Sequence, residues 1–221
     1  SALRFSERMR LDRPTLGVVL VRRRVDSTLL AGALRAGLRE VVEERDLAGL
    51  NAAVRRTLDL TRAMRVAQAG GGVPRRHTRA RVVTVFSAKG GCGKTSIAVN
   101  MAAALSNRGG RVCVVDLDLA FGDVAISLQL MPQHTIADAV PLAATLDRDG
   151  VLSLLTHHRS GIAVLAAPAE PYLRETVPAG LVGEALDVVA SEFDWVVIDT
   201  PPGFDDHVLQ ALDRSDVLML L

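Results

Sequence analysis

Apolar residues recur along the chain in two alternating patterns, and each pattern predicts one kind of element. Short continuous apolar runs, bounded by Gly, Pro, Asp or Arg, are typical of strands that a parallel sheet buries on both faces. We predict strands over residues 16–21, 37–42, 81–86, 112–118, 162–166, 195–199 and 217–221. Segments with apolar residues three or four positions apart predict helices that cover the sheet. We predict helices over residues 27–36, 46–68, 95–108, 149–158, 179–192 and 205–214.

Several of these helices have sequence signals for their ends and their buried faces. Asp26 or Ser27 is suited to cap the first helix, and Gly109 and Gly110 are suited to end the helix over 95–108. The predicted buried face of that helix consists of Ile97, Met101, Ala104 and Leu105. The predicted buried face of the helix over 46–68 consists of Leu47, Leu50, Val54, Leu58 and Thr61.

Alternation of strands and helices predicts an α/β fold, and the charge distribution divides it. Residues 1–81 contain 18 Arg against 8 acidic residues, a net charge of +10, whereas residues 82–221 contain 8 basic against 17 acidic residues, a net charge of −9. The change coincides with a Gly-rich and then Arg-rich stretch, which is typical of a linker. We therefore predict an α/β segment over 1–68, a linker over 69–81 and a doubly wound, mostly parallel α/β domain over 82–221. Its last strand, 217–221, is expected to expose an unpaired edge.

Lysine occurs at two positions only, Lys89 and Lys94, among 26 Lys and Arg residues. Lysine is a compact point charge on a flexible stem, which suits a crowded phosphate site better than the planar arginine fork. The two lysines flank Gly-Gly-Cys-Gly, and the segment fits the end of the phosphate-loop pattern G-x-x-x-x-G-K-[ST], with Ser87 or Ala88 where the first glycine would stand. A predicted strand precedes this segment and a predicted helix follows it, as the pattern requires.

The segment from Lys89 to Ser96 is therefore predicted to bind phosphate. Glycines let backbone N–H groups curl around phosphate oxygens, and the start of the helix favours the negative charge. We expect Lys94 to reach the β- and γ-phosphates of a nucleotide and the hydroxyl group of Thr95 to bind Mg²⁺. The predicted nucleotide-binding residues are Lys89, Gly90, Gly91, Cys92, Gly93, Lys94, Thr95 and Ser96.

Carboxylates follow two of the predicted strands. Asp116 and Asp118 lie at the end of the strand over 112–118, and Asp199 ends the strand over 195–199. Ligands of open parallel sheets bind beyond the carboxyl ends of the strands, so we expect these side chains to face the nucleotide. A turn formed by Pro201, Pro202 and Gly203 follows the second strand.

These three motifs, in this order, resemble the MinD/ParA superfamily of ATPases, in which the phosphate loop is a deviant Walker A motif with an additional early lysine. The resemblance implies that Lys89 crosses a dimer interface to the partner's nucleotide, and hence a homodimer with ATP at the interface. It implies that Asp118 orients or activates the attacking water, that Asp116 helps to fix the Mg²⁺ shell, and that Asp199 holds Mg²⁺ through water. It also implies that the turn over 201–203 senses the γ-phosphate, and that the Asp199 strand lies between the strands ending at Phe86 and Asp116.

The resemblance assigns the predicted site residues to three groups. The implied catalytic residues are Lys89, Lys94 and Asp118, and the implied metal-binding residues are Thr95, Asp116 and Asp199. Members of the superfamily continue with further strands, so we expect the domain over 82–221 to be incomplete at its C-terminal end.

The N-terminal part resembles the second half of a response-regulator receiver domain. It has the order strand, helix, strand, helix, with the segment 34–42 in the middle. A receiver that can be phosphorylated needs a lysine after its last strand, where Glu43 and Glu44 stand here. The phospho-accepting Asp would lie before residue 1. We therefore predict a pseudo-receiver that serves as an interaction or targeting module.

A degenerate receiver in front of such an ATPase resembles the CpaE/TadZ proteins of Flp/Tad-type pilus assembly. Residues 116–123, 134–138 and 161–168 favour the same subfamily. The resemblance implies a slowly hydrolysing ATPase switch in the cytoplasm, at a cell pole or on the inner membrane face, that helps to position a pilus secretion machine. Its implied partners are pilus or polarity proteins, together with peripheral association with the membrane.

Two alternatives stay open from the residues. The first is a ParA/MinD-type partition or septum-positioning ATPase, and the second is a nucleotide-binding scaffold with little turnover. The net negative charge of residues 82–221 argues against DNA binding, although the basic N-terminal part leaves open binding to nucleic acid, to anionic lipid or to the acidic half of the chain. Cys92 and Cys113 show no metal-ligand spacing, which argues against an iron–sulfur member of the superfamily.

Overall fold

The computed structural model describes residues 2–68, 79–143 and 146–221. Contacts between residues divide the chain into two compact units. The first unit comprises Ser1–His77 together with Ser215–Leu221, and the second comprises Thr78–Arg214. Most of the predicted linker over 69–81 lies outside the described residues.

The first unit contains three parallel strands and three helices. Its elements in chain order are α1 (Ala2–Asp12), β1 (Gly17–Arg22), α2 (Ser27–Arg35), β2 (Glu40–Glu43), α3 (Leu47–Gln68) and β8 (Val217–Leu220). The strands pair in the order β2, β1, β8. The strands and helices predicted in this part of the chain are confirmed within a few residues, whereas α1 was not predicted.

Local signals explain the limits and the face of the helices in this unit. The side chain of Asp26 caps α2 by accepting a hydrogen bond of 2.7 Å from the backbone N–H of Leu29, which is typical of an N-cap. On α3 the predicted face is confirmed at every position whose side chain is described. These positions are Leu50, Val54, Leu58 and Thr61, all of them buried.

The expectation that the last strand exposes an unpaired edge was wrong at the edge that faces β1. β8 pairs in parallel with β1, in the register Gly17↔Val217 to Leu20↔Leu220. Arg65 of α3 also forms an ion pair with Asp216, at the start of this strand. The apolar run predicted the strand itself, but its partner lies some two hundred positions earlier in the chain, where no local pattern indicates the pairing.

The second unit is an α/β domain built on five strands. Its strands are β3 (Arg81–Phe86), β4 (Val112–Asp116), β5 (Thr156–His157), β6 (Ile162–Leu165) and β7 (Trp195–Asp199). Its α-helices are α4 (Lys94–Ser106), α5 (Val124–Ser127), α6 (Arg148–Ser153), α7 (Ala179–Glu192) and α8 (Asp206–Arg214), and its 3₁₀ helices are Ile136–Leu142 and Pro171–Thr176. The strand order is β3, β7, β4, β6, β5, and only the β5–β6 pair is antiparallel.

This arrangement confirms the predicted fold class, a doubly wound and mostly parallel sheet. It also confirms that the Asp199 strand lies between the strands ending at Phe86 and Asp116. Because all three strands are parallel, their carboxyl ends lie at the same edge of the sheet, which is where ligands of open α/β sheets bind.

Two local predictions in this unit were wrong. The helix predicted to reach residue 158 ends at Ser153, because Thr156 and His157 pair with β6 instead. The buried face of α4 is also displaced by one position from the predicted face. Its apolar buried residues are Ala98, Ala102 and Leu105. Small alanine side chains let the helix lie close to the sheet, and only Leu105 belongs to both faces.

The core of the second unit lies between the sheet and α7, and it includes the 3₁₀ helix over 136–142, which the sequence pattern did not predict. Ile136 and Ala139 of that helix are fully buried in the same cluster as Ile198 of β7. The backbone N–H of Ile136 donates a hydrogen bond of 3.0 Å to the carbonyl oxygen of Ala166. In the described parts of the chain, no helix is long and apolar enough to cross a membrane.

The burial of Ile136 can be tested with a pair of matched substitutions. We expect Ile136→Ala to lower the free energy of unfolding by about 2–5 kcal/mol, because it removes methyl groups from a fully packed core. Ile126→Ala is the control, since that side chain is 72% exposed and its loss should change stability by no more than about 0.5 kcal/mol. Urea unfolding measures both values. Equal effects of the two substitutions would show that the 136–142 helix is not part of the core.

Candidate functional site

The loop over 87–93 connects the end of β3 to the start of α4. Gly91 and Gly93 have positive φ angles of 67° and 90°, a backbone conformation that L side chains rarely adopt. A Cβ atom added to either residue would meet no other atom within 4 Å. The glycines are therefore required by the backbone conformation, and the space in front of them is open for a ligand.

The two lysines lie in different environments. Lys94 is the first residue of α4 and is only 7% exposed, whereas Lys89 is exposed on the loop. Burial raises the pKa of Asp199, and the charge of Lys94 opposes part of this rise. Lys94 is thus held inside the site, at a helix N-terminus that favours anions, while Lys89 is presented to the outside.

Thr95 and Asp199 form the direct contact between the phosphate loop and the sheet. The hydroxyl group of Thr95 donates a hydrogen bond of 2.6 Å to Oδ2 of Asp199. The other carboxylate oxygen, Oδ1, is buried and has no hydrogen-bond partner among the described residues. An orphaned buried carboxylate oxygen is costly unless a ligand satisfies it. Beside it, Thr200 fixes β7 to β3 by donating 2.7 Å to the carbonyl oxygen of Val85.

This donor set fits Mg²⁺. The cation prefers oxygen ligands, and it is usually bound by one or two carboxylates together with waters and substrate phosphates. Among the described residues there is no group of three or more His, Cys, Asp or Glu side chains that could hold a metal ion by themselves. Thr95 and Asp199 would therefore supply part of the coordination shell, and the phosphates and waters would supply the rest.

Asp116 lies directly opposite Asp199 in the pairing of β4 and β7 and is 2% exposed. Its Oδ1 accepts a hydrogen bond of 3.1 Å from the backbone N–H of Asp118, and its Oδ2 accepts one of 3.1 Å from that of Val124. Burial, and next the charge of Asp199, raise the pKa of Asp116 to about 7. Burial also raises the pKa of Asp199 to about 6.

Asp118 completes the group of carboxylates at this edge. It is partly exposed, and its Oδ1 accepts a hydrogen bond of 3.2 Å from the backbone N–H of Phe121. The charge of Asp118 contributes to the raised pKa of both other carboxylates, which places it close to them. The structure thus brings together five of the predicted site residues. These are Lys94, Thr95, Asp116, Asp118 and Asp199.

The chain is similar to known proteins over nearly two thirds of its length. The family model AAA_31, described as an AAA domain, matches residues 80–221. The chain belongs to this family. Among its relatives is the antiactivator FleN of Pseudomonas aeruginosa, 32% identical over 141 residues, which are 64% of this chain and 50% of FleN. The chain spans about half the length of the curated relatives it matches.

Two solved structures are similar to about two thirds of this chain. A ParA family ATPase from Chlorobium tepidum has a TM-score of 0.60 and 27% identity, over 65% of this chain and 60% of that one. Cobyrinic acid a,c-diamide synthase from Mycobacterium smegmatis, solved with a bound ATP analog and magnesium, has a TM-score of 0.53 and 26% identity, over 64% of this chain and 57% of that one. These similarities show that the matched part of the chain has the fold of a ParA family ATPase.

Three residues of the site were missed by reasoning from the sequence. Gly122 and Val124 enclose the carboxylate of Asp116, and Phe204 packs edge-to-face on Phe86, with ring centroids 6.0 Å apart, at the end of the turn over 201–203. A small residue soon after Asp118 was the available signal for Gly122. No pattern signalled Phe204, because its partner belongs to a distant strand.

The raised pKa values predict how the stability of the AAA_31 domain depends on pH. Asp116 holds its proton more tightly in the folded than in the unfolded state, where its pKa has the ordinary value near 3.8. The folded state therefore binds more protons between pH 4 and about 7, and the free energy of unfolding should fall as the pH rises through that range. Asp199 contributes in the same direction up to about pH 6.

Urea unfolding at several pH values, without nucleotide or Mg²⁺, measures this effect. Asp116→Asn, which cannot ionise, should show a smaller fall than the wild type. Asp149→Asn is the matched control, since the Asp149 side chain is 84% exposed and its loss should leave the pH dependence unchanged. The same pH dependence in Asp116→Asn as in the wild type would contradict the assignment.

Proposed function

We propose that the protein is an Mg²⁺- and ATP-dependent ATPase that acts as a dimerising switch. The observation that carries this proposal is the contact between Thr95 and Asp199. It joins the phosphate loop to the sheet edge and leaves one buried carboxylate oxygen, Oδ1 of Asp199, without a partner. A hydroxyl group and a carboxylate beside a phosphate loop are the protein ligands of Mg²⁺ in P-loop NTPases. The ATP analog and magnesium in the cobyrinic acid synthase structure support the same cofactors here.

Each residue has a distinct part in the proposed reaction. The backbone N–H groups of 90–95 and the ammonium group of Lys94 would hold the phosphates. Thr95 and Asp199 would hold Mg²⁺, which would supply positive charge to stabilise the phosphoryl transfer. Asp118, partly exposed beside them, orients the attacking water or accepts its proton. Hydrolysis is proposed to be slow, since a switch spends most of its cycle in one nucleotide state.

Lys89 supports the proposed homodimer. Its side chain is exposed, and its backbone is engaged within the loop, since its N–H donates 3.3 Å to Oγ of Ser87 and its carbonyl oxygen accepts from Cys92. Lys94 already supplies a buried cation to the subunit's own phosphates. A second loop cation that points outward is explained if it contacts the nucleotide of a partner subunit across an interface.

The cellular role that we propose is positioning of a Flp/Tad-type pilus secretion machine, as in the CpaE/TadZ proteins. Support comes from residues 116–123 and from the order β1, α2, β2, α3 in the first unit, which suits a pseudo-receiver over 1–68. Glu43 stands at the end of β2, where a receiver that can be phosphorylated needs a lysine. Its Oε1 accepts a hydrogen bond from the N–H of Val25. Partners would be pilus or polarity proteins at a cell pole or at the inner membrane face.

A second candidate is a partition- or septum-type positioning ATPase. The similarity to a ParA family ATPase and to FleN, at 27% and 32% identity, favours this reading. The two candidates share the ATP-dependent switch and differ in the partner. Salt-dependent binding to nonspecific DNA would favour the partition role, and co-localisation with pilus components would favour the pilus role.

Lys94→Ala tests the phosphate site. We expect the affinity for Mg·ATP to fall about 10–100-fold, because hydrogen bonds to charged groups contribute about 1.5–3 kcal/mol. Arg108→Ala is the control. Arg108 lies just after the C-terminal end of α4, at the end opposite to Lys94, so its loss should leave the affinity unchanged. Isothermal titration calorimetry measures both. Wild-type affinity in the Lys94 variant would exclude the phosphate loop as the nucleotide site.

The dimer is tested by measuring the mass of the full-length protein in solution with Mg·ATP and with Mg·ADP. The wild type should dimerise with Mg·ATP only, Lys89→Ala should remain largely monomeric while still binding nucleotide, and Asp118→Ala should stay dimeric because hydrolysis is blocked. Asp149→Ala serves as a control for the loss of an exposed carboxylate and should behave as the wild type. A monomer in every condition would refute the ATP-dependent dimer.

A further inference from the structure

Asp116 is enclosed by the loop that follows its own strand. One carboxylate oxygen accepts the N–H of Asp118 and the other accepts the N–H of Val124, each at 3.1 Å. Residues 118 and 124 are the two ends of that loop, so a single carboxylate closes it. Asp116 is only 2% exposed, and both of its carboxylate oxygens accept hydrogen bonds from the backbone of the loop.

Asp199 has a different environment, although it lies opposite Asp116 in the same sheet. It accepts a side-chain hydroxyl from the phosphate loop, and its Oδ1 has no hydrogen-bond partner among the described residues. Of the two buried carboxylates, Asp199 is therefore the one with an oxygen that no described donor contacts. Each oxygen of Asp116 instead accepts one backbone N–H, and these hydrogen bonds stabilise a buried charge that would otherwise be costly.

Gly122 makes this enclosure sterically feasible. A Cβ atom at residue 122 would lie 2.6 Å from Oδ2 of Asp116 and 2.4 Å from Cβ of Ala167. Both distances are shorter than the 3.0 Å that real Cβ contacts essentially always exceed. The loop thus passes between Asp116 and the segment after β6 at a distance that only glycine allows.

The enclosed loop carries Asp118. The N–H of Phe121 donates to Oδ1 of Asp118 at 3.2 Å and to its carbonyl oxygen at 3.1 Å. The carboxylate of Asp118 is therefore oriented by the residue that immediately precedes Gly122. A displacement of Gly122 would move Phe121, and with it the hydrogen bond that sets the direction of Asp118.

We propose that Asp116 and Gly122 are positioning residues. Together they hold the loop over 117–124 so that Asp118 points at the reacting phosphate. Asp116 acts through this loop and not as a ligand of Mg²⁺. The inference rests on the proposed function, in which Asp118 acts on the attacking water. Preorganisation of such a group matters because a misplacement of about 1 Å can lower a rate about a hundredfold.

The test uses Gly122→Ala, Asp116→Asn and Asp116→Ala in the full-length protein. Gly180→Ala is the matched control, since a Cβ at residue 180 of α7 meets no atom within 4 Å. We expect Gly122→Ala and Asp116→Ala to lower kcat about 10–100-fold. In both variants KM for ATP and the Mg²⁺ concentration for half-maximal activity should stay within about twofold of wild type, whereas loss of a Mg²⁺ ligand would raise the latter.

Amide hydrogen exchange of residues 118–124 supplies a readout that does not depend on hydrolysis. An asparagine at 116 can accept only one of the two N–H groups, because its NH₂ group is a donor. Exchange in the loop should therefore be faster in Asp116→Asn than in wild type and faster still in Asp116→Ala, with exchange in α7 unchanged. Asp116→Asn adds no bulk, so it keeps the test decisive if Gly122→Ala does not fold.

Two results would overturn the proposal. One is wild-type kcat and loop exchange in Gly122→Ala. The other is a large increase in the Mg²⁺ requirement of the Asp116 variants with unchanged loop exchange, which would make Asp116 a metal ligand. A wild-type protein that does not hydrolyse ATP would refute the proposed function instead, and the exchange series would still decide whether Asp116 and Gly122 hold the loop.

Discussion

The parallel pairing of β7 between β3 and β4 is the constraint on which the site depends. It places Asp199 opposite Asp116 on one side and beside Val85, at the end of the phosphate-loop strand, on the other. Without this register the hydroxyl group of Thr95 could not reach Asp199, because the two residues are 104 positions apart in the chain. Backbone hydrogen bonds of the central strand thus set the geometry of side chains that come from three separate motifs.

Electrostatics then gives the assembled groups different properties. Three carboxylates converge on a poorly hydrated edge, so burial and mutual repulsion raise the pKa of Asp116 to about 7 and that of Asp199 to about 6. Lys94, the hydroxyl group of Thr95 and backbone N–H groups oppose this effect. A site with excess negative charge and an unsatisfied carboxylate oxygen favours a cation, and a phosphate loop beside it favours an anion. Together, a preference for a cation and a preference for an anion match the binding of an Mg·nucleotide complex.

The sequence predicted the fold class and the position of the site because both depend on local patterns. Continuous apolar runs marked the parallel strands, and the phosphate-loop glycines, Lys94 and the strand-end carboxylates marked the site. Errors arose where a neighbour in space decided the outcome. The α4 face was misplaced because alanines pack closely against the sheet, and α6 ended early because Thr156 and His157 pair with β6.

By itself, then, the sequence determined which residues form the candidate site, since residue type and spacing suffice to specify a phosphate loop and strand-end carboxylates. Tertiary structure alone distinguished two aspartates that look equivalent in the sequence. Asp199 keeps a free buried oxygen, whereas Asp116 is enclosed by two N–H groups and by the absent Cβ of Gly122. The physical reason is that hydrogen-bond partners and steric clearance depend on where a loop passes in space, and that path is set by Ala167 and β7, which lie far away along the chain.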